Sequence, residues 1–237
     1  MKLTISTSQN AVKDAGNGGN FISTEGIYPV RIDFVSIQET RNGAKEANFN
    51  ITYKDNTQTL YGLTIVNKDG NMNEIGMQLL NKLGVLCGMT EGDDLNIEQE
   101  SHKVGKDSTV KEFDVITNFS DFECYMRIQR EYTKYNGEIR SNLLIRNVFR
   151  AEDGASAAEI VNAANGNQVE FGKQMKLEEE KYTSSPVYRD GVTAEEAEAF
   201  EQQKRNGKGK AGAAATTATS SVGAVTGKRT SLFGNKP

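Results

Sequence analysis

The chain has 237 residues, of which 36% are hydrophobic and 25% charged, with a mean hydropathy of −0.58 and a net charge of −4. That is enough chain to bury one sizeable core without disulfides or metals. No run reaches the roughly eighteen apolar residues of a membrane span, and Met1-Lys2-Leu3-Thr4-Ile5-Ser6-Thr7-Ser8 lacks the long apolar stretch of a signal peptide, so a cytoplasmic protein is expected. Two cysteines in unrelated surroundings, Cys87 and Cys124, and a single histidine, His102, rule out dense Cys/His metal sites and leave histidine-based triads without material.

The charge is unevenly distributed. Residues 1–150 carry 17 basic and 20 acidic side chains, 151–205 carry 6 and 12, and 206–237 carry 5 and none. These divisions mark the expected organisation: a flexible N-terminal segment over 1–25, a β-rich domain over 26–150, an acidic helical appendage over 151–205, and a disordered basic tail over 206–237. The N-terminal segment ends in the loop Gly16-Asn17-Gly18-Gly19-Asn20.

Strands follow from Gly26. Ile27, Val30, Ile32, Phe34, Val35 and Ile37 form one extended apolar run, long enough for a bent strand. Ala47, Phe49, Ile51 and Tyr53 then alternate with Asn48, Asn50 and Thr52, the period-two pattern of a half-buried strand. Lys54-Asp55-Asn56 turns the chain into a third strand with Leu60, Tyr61, Leu63, Ile65 and Val66. From Asn73, Ile75, Leu79, Leu80, Leu83 and Leu86 recur at helical spacing, and Gly88 is placed to stop the helix. The Asp69-Asn71-Asn73 spacing resembles a calcium loop, but Glu74 stands in place of the required glycine, so it reads as a turn and helix cap. Leu95 and Ile97 start another strand, and Phe113, Val115 and Ile116 one more. A long hairpin from Phe122 to Arg150 follows, turned at Asn136-Gly137, which supplies the positive φ values of a tight turn.

Beyond the hairpin, Ala155 to Ala164 reads as a helix ended by Asn165-Gly166. A second begins at Thr193, where Glu196 three residues on completes a capping-box pattern. Gly223 to Thr230 imitates a phosphate loop but is one residue short and lacks the magnesium-binding hydroxyl. Cys87 reads as a buried thiol and His102 as an exposed side chain. No nucleophile is paired with a base, so neither an enzyme nor a cofactor is expected.

Three strands, a helix and further strands ending in a hairpin is the order of an OB-fold, a five-stranded Greek-key barrel whose open face binds oligonucleotides. Between Arg127 and Arg150, Arg127, Arg130, Lys134, Arg140, Arg146 and Arg150 outnumber Glu131 and Glu138, and Tyr125, Tyr132, Tyr135 and Phe149 are interleaved with them. Cations that follow phosphates beside aromatic faces that stack on bases are what single-stranded nucleic acid needs. Met126, Ile128, Arg130, Tyr132 and Lys134 share one face of their strand by alternation. The candidate contacts are Arg127, Arg130, Tyr132, Lys134, Tyr135, Arg140 and Arg146, joined by Tyr53, Lys54 and Tyr61 around the preceding turn. The alternative is a solvated hairpin whose arginines pair with acids and whose tyrosines are core. Leu232 and Phe233, the two bulky apolar residues of the tail, are candidates for docking a partner protein.

Gly26-Ile27-Tyr28, the strand-helix-strand order, the Tyr-Asn-Gly turn between Tyr132 and Arg140, and a flexible C-terminal region ending in an aromatic together resemble the single-stranded-DNA-binding proteins of tailed bacteriophages. That resemblance implies an OB-fold over residues 26–150, sequence-independent protection of single strands in replication, recombination and repair, C-terminal recruitment of replication, recombination or transcription proteins, and residence in the host cytoplasm. The chain departs from the pattern at its end, where Gly234-Asn235-Lys236-Pro237 follows Phe233 and the acids lie upstream. A protein-interaction or structural β-domain, a phage assembly or host-takeover factor, is the competing expectation, since residues 1–150 are net acidic.

Overall fold

The computed structural model describes residues 21–104, 109–182 and 186–207. The elements are β1 (Gly26–Glu39), β2 (Lys45–Tyr53), β3 (Asn56–Val66), α1 (Glu74–Leu86), β4 (Ile97–Val104), β5 (Thr109–Ile116), β6 (Phe122–Tyr135), β7 (Glu138–Arg150), α2 (Ala157–Ala164), α3 (Lys173–Tyr182), β8 (Val187–Tyr188) and α4 (Ala194–Gly207). Two compact units divide the chain, the first through Ala194 and the second from Glu195. No described helix is long and apolar enough to cross a membrane. Residues 1–20 and 208–237, the latter with Leu232 and Phe233, lie outside the described residues, and α4 continues into the first two positions of the expected tail.

The first unit is mainly β. Its strands β3-β2-β1-β6-β7 run antiparallel in the order of an OB-fold barrel, opened between β3 and β7, which approach each other without a hydrogen-bonded ladder. The expected five strands become an eight-stranded sheet because β4 and β5 form an extra hairpin on β1 and β8 adds to β6. β1 is long enough to serve two partners along one edge: Gly26–Ile32 pairs β6, and Ser36 and Ile37 pair β5. The change falls at an irregularity at Asp33, where strands bend. There Asp33 accepts hydrogen bonds from Thr52 Oγ1 at 2.8 Å and Arg31 Nη2 at 2.8 Å, which ties the bend to β2.

The turns follow local chemistry. Asn136 (φ 51°) and Gly137 (φ 80°) make the tight turn of the long hairpin, and Lys54 (φ 46°) and Asp55 (φ 63°) make a similar one between β2 and β3 without a glycine. Asn73 Oδ1 accepts from the Gly76 amide at 2.9 Å to cap α1, and Asp69 Oδ1 accepts from the Asn71 amide, so the calcium-like spacing is indeed a turn and cap. At the other end Gly88 N–H donates to Val85 O and Met89 N–H to Gly84 O, the paired bonds of a glycine-terminated helix. α1 lies against β3 at Gly76, where a Cβ would sit 1.9 Å from Thr64 O. Leu79, Leu80, Leu83 and Leu86 are buried in a core shared with Ile32, Val35, Phe49, Ile51, Met126, Ile128 and Val148.

Residues 151–194 do not stand apart from the barrel. α2 begins at a capping box made by Ser156 and Glu159, and α3, which periodicity did not reveal, packs on the hairpin through Glu178. Residues 21–25 are likewise anchored: Ile22 is buried, its amide donates to Gln58 Oε1 at 2.7 Å, and Glu25 pairs with Arg130. Asn48 and Asn50, expected on an exposed face, are buried, because β4 and β5 wall in that side of β2. His102 is half-buried and stacked on Phe34, with centroids 3.8 Å apart and planes at 12°, and its Nε2 lies 2.6 Å from Glu100 Oε2.

Candidate nucleic-acid interface

The register of β6 and β7 sorts the hairpin side chains into two faces. Ile128, Arg130, Tyr132 and Lys134 stand opposite Ile145, Leu143, Ser141 and Ile139, which realises the expected shared face running from apolar core to polar tip. Glu131, Thr133 and Tyr135 occupy the other face, opposite Asn142, Arg140 and Glu138. Tyr132 and Tyr135 therefore point to opposite sides.

Most of the hairpin cations are engaged inside the fold. Arg127 Nε lies 2.5 Å from Glu178 Oε2, and both side chains are largely buried. The other Glu178 oxygen accepts from Asn147 Nδ2 at 2.7 Å and Gln174 Nε2 at 3.0 Å, whereas Oε2 meets Arg127 as an ion pair without a well-formed hydrogen bond. Arg130 pairs with Glu25 at 3.3 Å and donates to the Ser23 carbonyl and to Ser141 Oγ. Arg146 donates to Gln129 Oε1 at 3.1 Å and to Glu131 Oε2 at 2.9 Å. Arg150 makes a bidentate pair with Asp153, whose carboxyl the guanidinium holds below the usual range. The local positive excess that composition shows is thus largely offset by acids from the N-terminal segment and from residues 151–182. At the tip, the Arg140 guanidinium lies 4.6 Å above the exposed Tyr135 ring, and Lys134 stands on the opposite face of β6.

The tyrosines divide in the same way. Tyr53 is buried edge-on against Tyr28, with Lys54 Nζ 5.1 Å from its ring. Tyr132 is also buried, stacked on Tyr188 of β8 with centroids 5.8 Å apart and planes at 14°. Both thus fill the packing role of half-buried core, and neither presents a free face. Tyr61 is 70% exposed. Its orientation has a local cause: β3 bulges opposite Asn48, Gly62 takes φ 85°, and the Gly62 amide donates to Asn48 Oδ1 at 3.0 Å. A bulge of this kind re-aims the neighbouring side chain.

Tyr61 stands at the mouth of a cleft of about 500 Å³ floored by Ser36, Asn48, Asn50 and Thr59 and walled by Lys111 and Phe113 of β5. Asn50 Oδ1 accepts from Thr59 Oγ1 at 2.7 Å, which turns the amide nitrogen away from that contact. The cleft combines a stacking ring with neutral donors and acceptors suited to base edges, although Glu39, Glu112 and Asp114 also line it.

Sequence reasoning missed Glu178, Tyr188 and Arg189. Arg189 Nε donates to Glu131 Oε2 at 2.6 Å, the same oxygen that Arg146 reaches. Their signal was present only as an acid, an aromatic and a cation downstream of the hairpin, with nothing local to pair them. Among the described residues no three His, Cys, Asp or Glu side chains gather as a metal site. Burial pushes the Cys87 and Cys124 thiols up to about 12; Cys124 is buried, whereas Cys87, expected to be a buried thiol, is half-buried. No protein-family model matches the chain, and a search of curated proteins finds no similar sequence.

Proposed function

We propose that the chain binds single-stranded DNA without sequence preference and protects exposed strands during replication, recombination and repair of phage DNA. The observation that carries this reading is Tyr61, held outward by the Gly62 bulge at the mouth of a polar cleft on the barrel's β1–β3 face. Strands on that face bind oligonucleotides in OB-folds, and an exposed ring stacks on any base. Tyr135 and Arg140, at the far end of the hairpin, supply a second ring with its own cation. The action is attraction of phosphates plus stacking, and it requires neither metal nor nucleotide.

A second reading, a protein-interaction β-domain, is favoured by one observation: Arg127, Arg130, Arg146 and Arg150 all have carboxylate partners, which leaves less charge for phosphates. Titration of fluorescent oligo-dT and the matching duplex at two salt concentrations separates the two. Tight, salt-sensitive preference for the single strand is the expected result. Absence of binding at low salt overturns the main reading in favour of the second.

A further inference from the structure

Arg189 lies outside the hairpin in sequence but joins it in space. The short parallel pairing of β8 places Val187 beside Glu131 and Tyr188 beside Tyr132, and alternation returns Arg189 to the Glu131 side. Arg189 Nε and Arg146 Nη2 then converge on one oxygen, Glu131 Oε2, at 2.6 and 2.9 Å. One carboxylate charge thus lies between two guanidiniums. The Arg146 side chain is 22% exposed and donates through Nε to Gln129 and through Nη2 to Glu131, whereas that of Arg189 is 57% exposed and uses only Nε for this contact. Arg140, opposite Thr133, continues the same face toward the tip, with its guanidinium above Tyr135. The acids near this surface are Glu131, Glu138 opposite Tyr135, and Asp190 beside Arg189.

We infer that Arg189, carried in by β8 and oriented by Glu131, is a phosphate-contacting residue that extends the Tyr135–Arg140 tip into a continuous binding surface for single-stranded nucleic acid. This assignment rests on the single-strand-binding reading. In it Glu131 positions the two guanidiniums and at the same time moderates their charge. The segment after the hairpin is then part of the binding face, since it delivers a cation that the hairpin lacks.

The test is the salt dependence of oligo-dT binding by the full chain and by Arg189→Gln, Arg189→Lys and Glu131→Gln, with melting curves alongside. On single strands each phosphate contact contributes about 0.7 to the slope of log K against log salt. Arg189→Gln is expected to flatten the slope by about 0.7 and weaken binding, Arg189→Lys to restore the slope, and Glu131→Gln to steepen it and tighten binding. Weaker binding by Arg189→Gln with an unchanged slope assigns Arg189 a structural role and overturns the inference, leaving the function standing. An unaltered affinity and slope does the same. Failure of the unaltered chain to bind oligo-dT at low salt overturns both.

Discussion

Arg127 on β6 and Glu178 on α3 meet at 2.5 Å in a site where both side chains are largely withdrawn from water, fastening the helical segment after the hairpin to the barrel. Removing one partner of such a pair leaves a buried charge alone, which costs about 3–5 kcal/mol. Glu178→Ala and Arg127→Ala are each expected to lose that much in urea unfolding. The double change Arg127→Met with Glu178→Leu should recover most of it, because it buries no charge. Equal losses in single and double variants would show that the cost is not that of an unpaired buried charge.

Gly76 and Gly84 sit on the same helix, yet alanine should act oppositely at the two. At Gly76 a Cβ would lie 1.9 Å from the Thr64 carbonyl of β3, so α1 must lift off the barrel. Overpacking against rigid backbone costs about 3 kcal/mol. At Gly84 the nearest atom is Met89 Sδ at 3.4 Å, the end of a flexible side chain, and the gain in helix propensity is about 0.5–1 kcal/mol. Thermal melting of the two variants checks the sign of each.

Tyr61 and Tyr132 separate binding from folding. Tyr61→Ala removes an exposed ring, so stability should change by no more than about 0.5 kcal/mol. Affinity for oligo-dT should fall by about 1–3 kcal/mol, the typical contribution of one stacked base. Tyr132→Ala empties a buried site and should cost about 3–5 kcal/mol of stability instead. Unfolding curves run beside binding titrations distinguish the two, and a binding loss confined to Tyr132 would shift the site to the hairpin.

Glu159 links the start of α2 to the start of α3. Burial raises its carboxyl pKa, but the amides of Ser156 and Gln174 at 2.8 Å and Gly172 at 3.2 Å donate to it and together bring it below the ordinary 4.5. Because the folded form holds the proton less tightly than the unfolded form, this stabilisation is complete above about pH 4.5 and declines as pH falls through the folded value. Glu159→Gln should be less stable at pH 7 and lose less on acidification, as read by urea midpoints between pH 3 and 7.

The two thiols predict behaviour at the alkaline end. With Cys87 and Cys124 raised from 9.0 to about 12 by burial, the native state retains protons that the unfolded chain releases. Their contribution is therefore constant below about pH 9 and is lost between there and pH 12. A thiol reagent at pH 8 should leave Cys124 unlabelled until urea unfolds the chain, and label the half-buried Cys87 more slowly in the native protein than in urea. Rapid labelling of native Cys124 would contradict its burial.

Sequence alone determined what depends on neighbours within a few residues. Asn136-Gly137 dictated its turn through positive φ, Asn73 and Gly88 bounded α1, and alternation placed Phe49 and Ile51 in the core and Arg130 with Tyr132 on one face. Strand order then followed well enough to read an OB-type barrel. The tertiary structure decided which charges and rings remain available. The partner of Arg127 is Glu178, that of Arg130 is Glu25 and that of Arg150 is Asp153, so cations that looked surplus in a window of 24 residues are met by acids outside it, up to about a hundred positions away. Tyr132 is covered by Tyr188 for the same reason. Periodicity reports the geometry of one strand, whereas pairing and burial depend on how distant segments return to it.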